Sequence, residues 1–165
     1  MKRFVELFRA LDDTTGILEK VEALAAYFRE APPRDAVWAL IVLLGKPRRA
    51  VLPSSILRAH FMSLELIPQW LYDESRAHVG DTAETVALLL EAFGFEKDAT
   101  LELPLHVWLE DQAARLRGLK LEDTREIVLE WWRGVPADEV FVLHKLMGGS
   151  FRVGVSSGLV VRGLA

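Results

Sequence analysis

Three short stretches of this 165-residue chain set glycine beside basic or helix-capping residues: "GKPRR" at 45–49, "HVGDT" at 78–82 and "KLMGGSFRVGVSS" at 145–157. A phosphate accepts hydrogen bonds from main-chain N–H groups. Glycine lets the backbone come close to it, and a following helix N-terminus adds a partial positive charge. These stretches are therefore candidate anion loops, with Arg48, Arg49, Lys145 and Arg152 supplying charge and Gly80, Gly149 and Gly154 supplying backbone access. Charge distribution singles out two of the three. The chain carries a net −4, yet Ala36 to Leu64 holds four basic residues and Val140 to Ala165 three, and neither window contains a carboxylate. The remainder therefore carries −11.

Residues arranged for bond-breaking chemistry are missing from the sequence. With no cysteine, thiolate nucleophiles, disulfides and Cys-based zinc sites are excluded. His60, His78, His106 and His144 are scattered without ligand spacing and read as solvent-facing or core-edge side chains. Asp73-Glu74 and Glu110-Asp111 are adjacent pairs. Neighbours on a helix point about 100° apart, so neither pair converges on one ion. Trp38, Trp70, Trp108, Trp131 and Trp132 lie at apolar periodic positions and read as core or core-edge rather than base-stacking platforms. No P-loop, nucleophile elbow or dinucleotide fingerprint occurs.

The loops must be held by helices, because helical periodicity dominates the chain. Phe4, Leu7, Phe8 and Leu11 share one face, and Leu18, Val21, Leu24, Ala25 and Phe28 form a second stripe, capped by Thr14 or Thr15. Pro32 and Pro33 open a third helix whose all-round apolarity, "DAVWALIVLLG", places it inside; Gly45 ends it. "KPRRAVLP" is a basic connector, since Pro47 and Pro53 cannot sit in helix interiors, and Ser54 or Ser55 caps the next helix. "LIPQWLYDESRAHVG" runs from proline to glycine, and Asp81 or Thr82 caps "AETVALLLEAFG". Residues 94–104 read as a loop. Three further helices, each closed by glycine, precede "FRVGV", a loop of strand-like alternation, and a short capped helix, "SSGLVVRGLA". The pattern predicts one all-α domain over 1–165, an irregular bundle of about nine or ten helices. No apolar run reaches the ~20 residues of a membrane span, and Glu6 and Arg9 interrupt any signal-peptide core, so a soluble cytoplasmic protein is expected.

Beyond these readings, "FVLHKLMGGSFRVGVSSGLVVRGLA" closely resembles the end of the N-terminal DNA-binding domain of ATP-dependent DNA ligases, the bacterial ones above all. "IPQWLYDESRAHVGDTAETVALLL" resembles the second hallmark of that family, and "LGKPRRAVLPSSILR" its basic segment; the similarity runs over most of the chain. The resemblance implies an all-helical domain that grips nicked duplex DNA through minor-groove phosphate and sugar contacts without base readout. Carried onto this sequence, it assigns Gly149, Ser150, Arg152 and Gly154 to the DNA backbone, with Gly80, Asp81 and Thr82 from the second loop.

The family's adenylated lysine lies in a K-x-D-G motif, and the nearest text here, "EKDAT", departs from it, so these 165 residues should be inactive alone. The resemblance implies nucleotidyltransferase and OB-fold domains beyond residue 165, and ATP and Mg2+ for the full ligase, with no cofactor in this chain. It implies nicked double-stranded DNA and the catalytic domains of the same polypeptide as partners, a role in repair, replication or recombination, and a nucleoid-associated location. The alternative from another class is a helical protein-protein scaffold whose basic loops face an acidic partner.

Overall fold

The computed structural model describes residues 1–149 and 151–165. Helices supply all the regular structure of the described residues: α1 (Lys2–Asp12), α2 (Ile17–Glu30), α3 (Pro33–Leu43), α4 (Ser54–Met62), α5 (Gln69–Val79), α6 (Thr82–Ala92), α7 (Leu105–Val107), α8 (Ala113–Leu116), α9 (Arg125–Gly134), α10 (Val140–Met147) and α11 (Ser157–Leu164). A π-helical turn, Trp108–Gln112, joins α7 and α8 into one rod, so the described residues form ten helical units, the all-α bundle that the periodicity predicts.

Most boundaries fall where backbone chemistry requires them. Pro33 is the first residue of α3, and Pro68 precedes α5, which ends at Gly80 in the left-handed conformation (φ +85°) that glycine tolerates. The Asp81 carboxylate accepts from the Glu84 N–H at 2.9 Å and so caps α6; the Ser156 hydroxyl caps α11 by accepting from the Leu159 N–H. Two expected caps differ. Gly16 occupies the cap position of α2 while the Thr14 hydroxyl accepts from its N–H at 3.0 Å, and Pro53 occupies that of α4, with no capping bond from Ser54 or Ser55.

The core has two apolar clusters. One gathers α4, α5, α6 and α9 around Phe61, Tyr72, Leu90, Trp131 and Trp132; the other gathers α1, α2, α3 and α11 around Phe4, Leu11, Leu24, Val42 and Val160. Two elements belong to both. The α7–α8 rod sends Trp108 and Leu116 to the first and Leu105 and Leu109 to the second; α10 sends Leu143 and Met147 one way and Val142 and Leu146 the other. A helix apolar on opposite faces is buried on both, so α10 is the inner helix.

The expectation that α3 lies inside is corrected: Val37 is 57 % exposed, because only the side bearing Ala39, Val42 and Leu43 is covered. Leu18 is exposed as well, since α11 packs on α2 at Leu24, where Gly163 leaves no room for a Cβ. Trp70, expected at the core edge, is 66 % exposed on the first turn of α5.

Candidate nucleic-acid interface

The C-terminal end of α10 is where the three anion loops meet. From one side the connector 46–53 docks onto it: the Val51 and Leu52 N–H groups both donate to the Met147 carbonyl, at 2.9 and 3.1 Å. Gly149, at φ +78°, lies so close to the connector that a Cβ there would sit 2.5 Å from the Arg48 carbonyl oxygen and 2.9 Å from the Ala50 nitrogen. From another side comes the start of α6. Lys145 forms an ion pair with Asp81, and His144 Nδ1 donates to the Ala83 carbonyl at 2.9 Å. Adjacent residues of one inner helix thus hold the second loop, and the next turn holds the first.

From Phe151 onward the alternation of the sequence has a clear use. Phe151 and Val153 turn inward and are buried, so Arg152 and Gly154 face outward. Gly154 is fixed from α2 by Lys20 Nζ, which donates to its carbonyl at 3.0 Å.

The connector, Gly149 and the stretch bearing Phe151 and Arg152 enclose a groove of about 310 Å³, with Lys46, Arg48, Gly149 and Arg152 on its walls and Val42 and Phe151 among its apolar lining. No carboxylate lines it. Among the described residues Lys46, Arg48, Arg49 and Arg152 make no ion pair. Arg48 is the most exacting of these cations. Burial presses its guanidinium pKa below the ordinary value, and its Nη2 is buried without a hydrogen-bond partner. A buried donor left unpaired is costly, and an anion with several acceptor oxygens is the ligand that relieves it.

Over residues 1–165 the chain matches the family described as DNA ligase N terminus. The chain belongs to that family. Comparison with curated proteins finds no significant match.

With the ligase family established, the expected site residues divide by surroundings. Arg48, Arg49, Gly149 and Arg152 meet around the connector, and Gly154 continues the same segment; Ser150, expected between Gly149 and Arg152, lies outside the described residues. Gly80, Asp81 and Thr82 form the turn into α6, and the side chains of Asp81 and Thr82 are engaged within the fold. Thr82 Oγ1 accepts from Arg76 Nε at 2.9 Å. Burial pushes the Asp81 carboxyl upward, but hydrogen bonds from Lys145 and the Glu84 N–H outweigh it and hold the pKa below the carboxylate range. Lys145 therefore spends its charge on Asp81 and ties the two hallmark loops together. Asp81→Ala removes the cap and strands the lysine. It should cost about 1 kcal/mol, read as a fall of roughly 2–4 °C in the thermal midpoint.

Two of the four histidines lie deeper than expected. His60 Nε2 donates to the Thr124 hydroxyl at 2.8 Å, that hydroxyl's own proton going to the Leu121 carbonyl. His144 is buried between Trp132 and Ala83. His106 pairs with Asp35 at 2.6 Å, and His78 is exposed. Among the described residues no cluster of acids and histidines could hold a metal ion. Lys97 of "EKDAT" donates to the Trp132 and Val135 carbonyls at 2.7 and 3.2 Å, so it caps the end of α9. Counting charge along the sequence missed Arg117, which follows the acidic Glu110-Asp111 pair but joins Arg48 and Arg49 in space.

Proposed function

We propose that this chain binds nicked duplex DNA through its sugar–phosphate backbone, without sequence preference, as the DNA-binding domain of an ATP-dependent DNA ligase. The observation that carries the reading is the convergence of the two acid-free basic windows on one carboxylate-free groove, walled by Lys46, Arg48, Gly149 and Arg152. Phosphate oxygens would accept from these cations and from the main chain at Gly149, while Gly80, Asp81, Thr82 and Lys145 hold the neighbouring loop in place. Contacts of this kind position a protein on DNA without reading bases.

In a complete ligase the adenylation chemistry, with its ATP and Mg2+, would belong to nucleotidyltransferase and OB-fold domains beyond residue 165. The present domain would hold the nick against them, in repair, replication or recombination at the nucleoid in the cytoplasm. Among the described residues no helix is long and apolar enough to cross a membrane.

Titrating a fluorescent nicked duplex at increasing salt tests the proposal. Four to six phosphate contacts give a log–log salt slope of roughly −4 to −5. The combined Arg48→Ala and Arg152→Ala variant should make the slope shallower by about two and weaken binding more than tenfold at ~0.1 M salt. Equal affinity for scrambled sequences is expected. Undetectable binding at low salt, or indifference to both substitutions, defeats the proposal.

A further inference from the structure

A second groove, of about 430 Å³, adjoins the first and shares Arg48 with it. Its rim carries Arg48, Arg49 and Arg117, its floor is apolar, with Leu109, Ala113 and Met147, and no carboxylate lines it. Arg117 closes the C-terminus of α8, in extended conformation and solvent-exposed, and like Arg49 it makes no ion pair among the described residues. Glu110, which accepts from Nε1 of the lining residue Trp38 at 2.6 Å, is engaged elsewhere in a pair with Arg34.

Resting on the proposed DNA binding, we infer that this groove is a second seat for the DNA backbone, with Arg117 as its distinguishing contact. The chemistry matches a sugar–phosphate strand better than an isolated anion. Deoxyribose offers apolar C–H faces for the floor, and each phosphate offers acceptor oxygens that a planar guanidinium bonds in pairs. The shared wall adds a geometric reason. Arg48, whose buried Nη2 lacks a partner, stands between the two grooves, so a duplex seated in the first brings phosphates to the mouth of the second.

The test uses the full chain and a set of nicked duplexes, each carrying one uncharged methylphosphonate. Arg117→Ala should weaken binding of the unmodified duplex about fivefold and make the salt slope shallower by about one. Arg117→Lys should recover part of the loss, and circular dichroism and the melting midpoint should stay unchanged. In wild type, one methylphosphonate position should weaken binding yet have no further effect in Arg117→Ala, and that position should differ from the one coupled to Arg152. If Arg117→Ala leaves affinity and slope unchanged while Arg152→Ala alters both, the second seat is refuted and the first stands. If neither substitution couples to any phosphate, both readings fall together.

Discussion

Gly149→Ala is expected to destabilise the chain by about 3 kcal/mol and to remove measurable DNA binding at moderate salt, two losses with one origin. The residue sits at φ +78°, a conformation that costs a side-chain-bearing residue roughly 1–2 kcal/mol. The new methyl would also lie 2.5 Å from the Arg48 carbonyl oxygen and 2.9 Å from the Ala50 nitrogen. Both are main-chain atoms and cannot rotate away, so the connector must lift from the end of α10. Overpacking of that kind costs about 1–3 kcal/mol. Lifting strains the two N–H bonds that the Met147 carbonyl accepts from Val51 and Leu52, and it displaces Arg48 from the wall that its two grooves share. Gly94→Ala supplies the control: its φ is +66°, but a Cβ there meets nothing within 4 Å, and it lines neither groove. Only the backbone penalty of roughly 1–2 kcal/mol should appear, with DNA binding intact. Thermal unfolding and the salt titration together read both variants. Equal melting midpoints for the two would mean that the close approach at Gly149 is not what fixes the connector.

The same glycine shows how far the sequence could be read. Its tolerance for positive φ and its basic neighbours made it a candidate loop residue, and the proline and glycine punctuation around α3, α5 and α6 placed those helices correctly, because such signals act within a few residues of themselves. Resemblance at the two hallmark segments led to the ligase family that the whole chain matches. What the sequence could not show was which loops touch. The contact between Gly149 and Arg48 spans a hundred residues of chain, and so does the meeting of Arg49 with Arg117 across sixty-eight, and neither leaves a local pattern. Burial was legible only as periodicity. An apolar stripe says that a face wants cover, not that a neighbour supplies it, so Val37, Leu18 and Trp70 stayed exposed while His144, a polar residue on an apolar helix, went to the centre. A local sign was present there: α10 is apolar around nearly its whole circumference, and a histidine inside such a helix needs two partners.

Those partners make His144 the group through which acid should loosen the fold. Trp132 Nε1 donates to His144 Nε2 at 2.7 Å, so Nε2 carries no proton; the proton is on Nδ1, which donates to the Ala83 carbonyl at 2.9 Å. The imidazole is held in one neutral tautomer. Burial is the main force lowering its pKa from 6.5 to about 4, with Lys97 acting in the same direction and the Ala83 carbonyl and Asp81 opposing it. Above pH 6.5 the folded and unfolded chains are both neutral at this site, and stability is unaffected. As the pH falls from 6.5 toward 4, the unfolded chain takes up a proton that the fold refuses, and stability declines by on the order of 3 kcal/mol before levelling below the folded pKa. His60, its pKa also lowered by burial and by Arg125, adds a decline of the same sign. Urea unfolding of wild type and His144→Gln at pH 7 and pH 4 separates the two. The glutamine variant should lose about 1–3 kcal/mol at pH 7, where it leaves Trp132 Nε1 or the Ala83 carbonyl unpaired. It should then fall less steeply on acidification, by roughly the 3 kcal/mol assigned to His144. Identical acid declines in the two proteins would show that the site accepts a proton without cost. The neutral tautomer that bridges Trp132 to the Ala83 carbonyl at the start of α6 would then not be enforced by burial.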